Sequence, residues 1–170
     1  GYIAKRRNDP RDDRITHLIA AEEDGARLSP EELIGTCILL LNAGHETTTN
    51  LVGNGIAALL DNPSELQDLR ANPDLIRSAI EEFLRFESSN QLGNRRVAET
   101  AEIGGVDMAE GDYIHLCIGG ANRDPDAFPE PDRLDIRRQP NRHLAFGGGI
   151  HICIGNTLAR MEGAVAVGRL

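Results

Sequence analysis

The sequence predicts a mainly α-helical domain with a small β-sheet, and three observations predict it. An apolar pattern at helical spacing runs from Leu33 to about Leu60. Two later segments restart a helix with asparagine followed by proline. Short apolar runs broken by Gly104-Gly105 and Gly111 then interrupt the helical pattern, as strands joined by turns do.

The elements follow in order. Residues Arg14 to Asp24 read as a short amphipathic helix ending at Gly25. Ser29 is a good N-cap for the next helix, Pro30 suits its first turn, and Glu32 closes a capping box. Leu39, Leu40 and Leu41 put apolar side chains on more than one face, so this long helix is expected to be buried. Asn62-Pro63-Ser64-Glu65 and Asn72-Pro73 each start a further helix, the second carrying Ile76, Ile80, Phe83 and Leu84. After Phe86, Val97, Ile103 and Val106 lie in short segments, and Tyr113 to Ile118 is strand-like, which predicts a small sheet. Asn122 to Asn141 is rich in Pro, Asp and Arg and reads as a meandering loop with one helical turn. Leu144 to Gly155 is glycine-rich, and Asn156 to Leu170 is a final helix without a C-cap.

Composition excludes several functions. With 4% aromatics, no Trp and a net charge of −9, the chain is poorly suited to stack on bases or bind phosphate backbones, so no nucleic-acid partner is expected. Three cysteines without a CxxC pair argue against a disulfide framework and a four-thiolate metal site, and point to a reducing cytoplasm. The longest hydrophobic stretches, Cys37 to Leu41 and Ile56 to Leu60, are far short of a membrane span, and these residues read without a signal or transit pattern, so no membrane partner is expected. Charge is uneven. From Arg133 to Leu170, six arginines face only Asp135 and Glu162, a net +4 inside a chain of −9.

The segment Phe146-Gly147-Gly148-Gly149-Ile150-His151-Ile152-Cys153-Ile154-Gly155 carries the chemistry. Its glycines permit tight backbone conformations that turn amides toward one sulfur. A helix starting just after Cys153 favours thiolate over thiol. A zinc site from His143, His151 and Cys153 lacks a fourth ligand at zinc spacing. The segment resembles the haem-binding signature of the cytochrome P450 family, matching it at Phe146, Gly147, Gly149, His151, Cys153 and Gly155. Gly148 departs from it, standing where a larger polar residue is common. The resemblance implies haem b (iron protoporphyrin IX) with Cys153 as the axial iron ligand and His151 as a donor to a haem propionate.

Further segments agree with that family. Ala43-Gly44-His45-Glu46-Thr47-Thr48 resembles its oxygen-binding signature on the long central helix, where Gly44, Thr47 and Thr48 share a face. The resemblance implies that Glu46 and Thr47 relay protons and that Ala43 and Gly44 leave room for oxygen and haem. Glu82 and Arg85 are three apart on a helix and match the family's Glu-x-x-Arg pair, with Arg133 expected to complete a buried ion-pair cluster. Arg95 falls where the family places another propionate-binding arginine, and adjoining Arg96 is the alternative. Ser89 and Thr100 stand where proline and aspartate are usual.

The resemblance implies a partial P450 fold over residues 1–170: long central helix, following helices, meander, cysteine loop and a truncated last helix. One incomplete haem-binding domain, lacking both ends of the family's full chain and inactive by itself, is expected. The parent is expected to be a monooxygenase inserting one atom of O2 into a small apolar organic substrate. Its electrons come from an acidic redox partner such as a ferredoxin, steered by Arg137, Arg138, Arg142 and Arg160. The alternatives are a peroxide-using or isomerising member of the family, which would not need Glu46 and Thr47, and a non-catalytic remnant.

Overall fold

A computed structural model describes residues 1–23 and 26–169. The chain divides into two compact units, Gly1–Glu46 and Thr47–Leu170.

In the first unit, helix α1 spans Tyr2–Asn8 and α2 spans Arg14–Ala20. Asp13 caps α2: its carboxylate accepts from the Thr16 amide at 2.9 Å and pairs with the Arg6 guanidinium of α1. The Thr16 amide first, and Arg6 second, hold the Asp13 carboxyl down at about 2. Helix α2 is shorter than expected, because Ala21 takes an extended conformation (φ −61°, ψ 131°). The expected stop, Asp24 and Gly25, lies outside the described residues. Strands β1 (Glu22–Glu23) and β2 (Ala26–Arg27) pair antiparallel. Apolar spacing cannot register strands of two residues.

Helix α3 spans Pro30–Asp61, 32 residues. Its capping box closes in both directions: the Glu32 amide donates to Ser29 Oγ at 3.2 Å, and the Ser29 amide donates to the Glu32 carboxylate at 2.8 Å. The expectation that the helix is buried needs correction. Leu33 and Leu51 are buried, but Ile38 to Leu41 are exposed, Leu41 by 69%. Apolar residues on several faces say that a helix needs cover, not which chain segment supplies it.

Helix α4 (Pro63–Ala71), a 3-10 turn (Pro73–Leu75) and helix α5 (Ile76–Phe86) follow. The side chains of the asparagines before the prolines act backwards from expectation. Asn62 Nδ2 donates to the Ala58 carbonyl at 2.8 Å and Asn72 Nδ2 to the Asp68 carbonyl at 3.2 Å. Each side chain thus closes the helix behind it, while the backbone carbonyl caps the element ahead, accepting from the Glu65 amide and the Leu75 amide, each at 3.0 Å. The restart survives because proline brings no N–H to satisfy and a φ already helical.

Helix α5 buries Ala79, Ile80, Phe83 and Leu84 on one side. They form the core with Leu51, Ala58 and Leu59 of α3, Leu69 of α4, Leu134 and Ile136 of the meander, and Val167 of helix α7 (Asn156–Val167). Gly55 permits the close passage of α3 over α5, since a Cβ there would stand 2.6 Å from the Phe83 ring. Helix α7 ends at Val167, where the Gly168 amide donates to the Ala164 carbonyl at 3.0 Å. It does not run on as expected to Leu170, which lies outside the described residues.

The expected sheet is two separate antiparallel pairs. Strand β3 (Leu92–Arg96) pairs with β6 (Tyr113–Cys117), and β4 (Ala101–Ile103) pairs with β5 (Val106–Met108). Gly104 and Gly105 turn the second pair at φ +60° and +78°. A short helix α6 (Ile118–Ala121) leads into the meander, which has no helix or strand among the described residues up to Gly148.

Candidate functional site

The cysteine loop closes on itself. The Cys153 amide donates to the Phe146 carbonyl at 2.9 Å, the Gly147 amide to Leu144 at 2.8 Å, and the Ile152 amide to Gly149 at 3.2 Å. Gly147 and Gly149 sit at φ +68° and +62°, where a side chain would be strained, so glycine is what lets the loop turn. A 3-10 turn over Gly149–His151 leaves His151 exposed. A Cβ on Gly155 would stand 4.0 Å from Cys153 Sγ. The half-buried Cys153 is flanked by Ile150 and Ile154, exposed by 95% and 94%. The expected amide donors to the sulfur are not found among the described residues; Cys153's own amide is taken by loop closure.

A second cluster holds this loop from below. Glu81 of α5 accepts from Arg160 Nε at 2.6 Å and Nη2 at 3.0 Å, and from His143 Nε2 at 3.0 Å. Burial pushes the Glu81 carboxyl up, but the hydrogen bonds from His143 and Arg160 outweigh it and hold the group at about 2. The Arg160 guanidinium lies 4.5 Å from the Phe146 ring centroid, and the His143 ring is tilted against Phe146 at 6.0 Å. Sequence reasoning missed Glu81. Its only signal was the doublet Glu81-Glu82 on a helix with one expected partner.

The other acid of the doublet, Glu82, carries a buried ion-pair cluster of its own. Glu82 and Arg85 are fully buried, with Arg85 Nε and Nη2 each 2.8 Å from the carboxylate. Arg85 Nη1 donates to the carbonyls of Asn122 at 2.9 Å and Pro131 at 2.8 Å. The second cation on Glu82 is Arg138, not Arg133. Arg138 Nε lies 3.2 Å from both Glu82 oxygens with its side chain 9% exposed. Arg133 is 57% exposed, pairs with Glu130 at 3.1 Å, and offers the cluster only its backbone carbonyl. A turn explains this: the Arg133 amide closes on the Glu130 carbonyl at 3.0 Å, which brings its side chain to Glu130. The Asp135 amide and Asn141 Nδ2 complete the Glu82 acceptor sites at 2.9 and 3.1 Å. Next to the cluster lies the buried amide of Asn122. Its Oδ1 accepts from the Leu144 amide at 2.7 Å and its Nδ2 donates to Ser88 Oγ at 2.8 Å.

The other expected site residues belong to β3 and α3. Arg95 and Arg96 are adjacent on β3 and so project from opposite faces, both exposed. Arg95 Nη1 donates to the Asn94 carbonyl at 2.8 Å, whereas the Arg96 guanidinium lies over Gly111. Ala43, Gly44 and Glu46 belong to the first unit and Thr47 to the second, all exposed on the continuous α3. Of the arginines expected to meet a partner, Arg138 is consumed by Glu82, and Arg137 pairs with Asp68 at 2.6 Å. Arg160 pairs with Glu81, and Arg142, like Arg137, is exposed.

Residues 3–170 match the family described as Cytochrome P450. The chain belongs to the cytochrome P450 family. It is 52% identical over 169 residues to Cytochrome P450 107B1 of Saccharopolyspora erythraea, covering 99% of this chain and 42% of that protein. It is 47% identical over 168 residues to the Biotin biosynthesis cytochrome P450 of Bacillus subtilis, again covering 99% and 42%. It is 49% identical to the Vitamin D(3) 25-hydroxylase of Pseudonocardia autotrophica, covering 100% of this chain and 44% of that one. Among solved structures, P450BioI in complex with acyl carrier protein ligated to hexadec-9Z-enoic acid superposes with a TM-score of 0.93 at 46% identity, over 99% of this chain and 43% of that one. The mainly helical fold with small antiparallel strand pairs is thus that of P450 structures over a partial region. No helix among the described residues is long and apolar enough to cross a membrane.

Proposed function

We propose that the whole protein, of which this chain spans 42% by the length of its relative, is a haem-thiolate monooxygenase with Cys153 as the iron ligand. The observation that carries the reading is the closed loop that turns on Gly147 and Gly149 and presents a half-buried thiol at the start of α7. A single cysteine sulfur suits a haem iron, and the donor chemistry of this loop fits that group. Haem b, when bound, supplies the iron chemistry that activates O2.

The chain's own residues do the rest. Cys153 Sγ would hold the iron as the chain's own ligand. His151 and Arg95 would hold the haem propionates. Ala43 and Gly44 keep one face of α3 free of bulk; a Cβ at Gly44 would meet nothing within 4 Å. The Thr47 hydroxyl would pass on a proton, and the exposed Glu46 carboxyl group, protonated from solvent, would replenish it. The substrate is a small apolar organic molecule, consistent with Leu40 and Leu41 exposed on α3. The hexadec-9Z-enoic acid named with P450BioI is of the same chemical kind. The electron donor is an acidic protein such as a ferredoxin, meeting Arg142.

Replacing Cys153 by alanine in the full-length protein abolishes the red-shifted Soret band of the reduced carbon monoxide complex, while Cys37→Ala and Cys117→Ala keep it. A Cys153→Ala protein that retains the band sinks the assignment.

A further inference from the structure

We propose that Glu81 is the positioning residue of the cysteine loop, fixing the backbone on both sides of Cys153 through Arg160, His143, Phe146 and Asn156. The spectroscopic consequence rests on the reading of Cys153 as the iron ligand; the mechanical one does not.

Two paths run from one carboxylate. On the first, the two-pronged pair with Arg160 fixes the plane of the guanidinium, and that plane packs over Phe146 at 4.5 Å. His143 joins from the chain entering the loop. Its Nδ1 accepts the Ala145 amide at 3.3 Å, which places the ring proton on Nε2 facing Glu81. Phe146, so held, accepts the Cys153 amide through its carbonyl at 2.9 Å. On the second path, Arg160 Nη1 donates to Asn156 Oδ1 at 2.9 Å, and Asn156 Nδ2 donates to the Cys153 carbonyl at 2.6 Å. The amide and the carbonyl of the cysteine therefore both end on Glu81.

The neighbouring glutamate cannot substitute. Adjacent residues on a helix point about 100° apart. Glu82 faces the meander through Arg85 and Arg138, and Glu81 faces the loop. The depressed Glu81 carboxyl is consistent with a permanent anion at this junction.

The test uses the full-length haem-loaded protein with Glu81→Gln and Arg160→Lys. Glutamine keeps the shape and loses the charge; lysine keeps a charge and loses the planar stack. Hydrogen exchange is followed in segments covering residues 143–156 and, as reference, the α3 core from residue 51 to 59. Glu81→Gln is expected to speed exchange in the loop on the order of tenfold, as loss of charged hydrogen bonds does, with the reference unchanged. Part of the carbon monoxide complex should leave the red-shifted band, and Arg160→Lys should fall between wild type and Glu81→Gln on both measures. Loop exchange that does not change, or that rises equally in α3, overturns the proposal. So does a loosened loop with an intact band. If Cys153→Ala keeps the band, the ligand reading fails, and exchange alone then decides the role of Glu81.

Discussion

Replacing Arg138 or Arg133 by methionine separates a buried cluster member from a surface residue that sequence position makes look equivalent. Arg138 shares the fully buried Glu82 with Arg85, its Nε 3.2 Å from both oxygens, and also donates to the Pro129 carbonyl at 2.8 Å. Removing it leaves Glu82 its bidentate bond to Arg85 and the Asp135 and Asn141 donors, so the carboxylate is weakened rather than stranded. The loss expected is about 1.5–3 kcal/mol, the range for hydrogen bonds to a charged group. Arg133 makes one exposed pair with Glu130 at 3.1 Å, worth about 0–1 kcal/mol. Arg85→Met, which takes away the principal cation, should cost about 3–5 kcal/mol. Urea unfolding of the full-length protein, read as midpoints at constant slope, ranks the three. If Arg133→Met costs as much as Arg138→Met, the assignment of the second cation is wrong.

Acid sensitivity offers a second check. Glu81 is held at about 2 against an ordinary 4.5, so its contribution is complete above pH 4.5 and fades as pH falls toward 2. The stability difference between wild type and Glu81→Gln should therefore shrink across that window; a difference indifferent to pH would contradict it. Gly55→Ala should destabilise by about 1–3 kcal/mol in thermal or urea melts, since the added methyl would meet the Phe83 ring at 2.6 Å. A neutral result there would mean that α3 and α5 separate easily.

What could be read from the sequence was what is local in the chain. The Ser29–Glu32 box, the proline restarts and the glycine turns of the cysteine loop each span a few residues, and each depends on properties those residues carry anywhere. What escaped depends on where distant segments return. Arg133 and Arg138 differ in role because of two turns in a stretch without periodicity. Glu81 meets Arg160 across 79 residues and His143 across 62, and no spacing rule spans such distances. The exposure of Leu39 to Leu41 escaped for another reason: hydrophobicity reports a demand for cover and is silent on its source.

The buried amide of Asn122 has a kinetic consequence. Its side chain joins Ser88, 34 residues earlier, to Leu144, 22 residues later, and its carbonyl receives Arg85 from 37 residues back. None of these bonds forms until helix, meander and the entry to the cysteine loop have met, so each must wait for loop closure. Substituting Asn122 by alanine removes interactions formed late, and should therefore speed unfolding far more than it slows folding. The expected order has the cysteine acquire its geometry after the helices beneath it have docked.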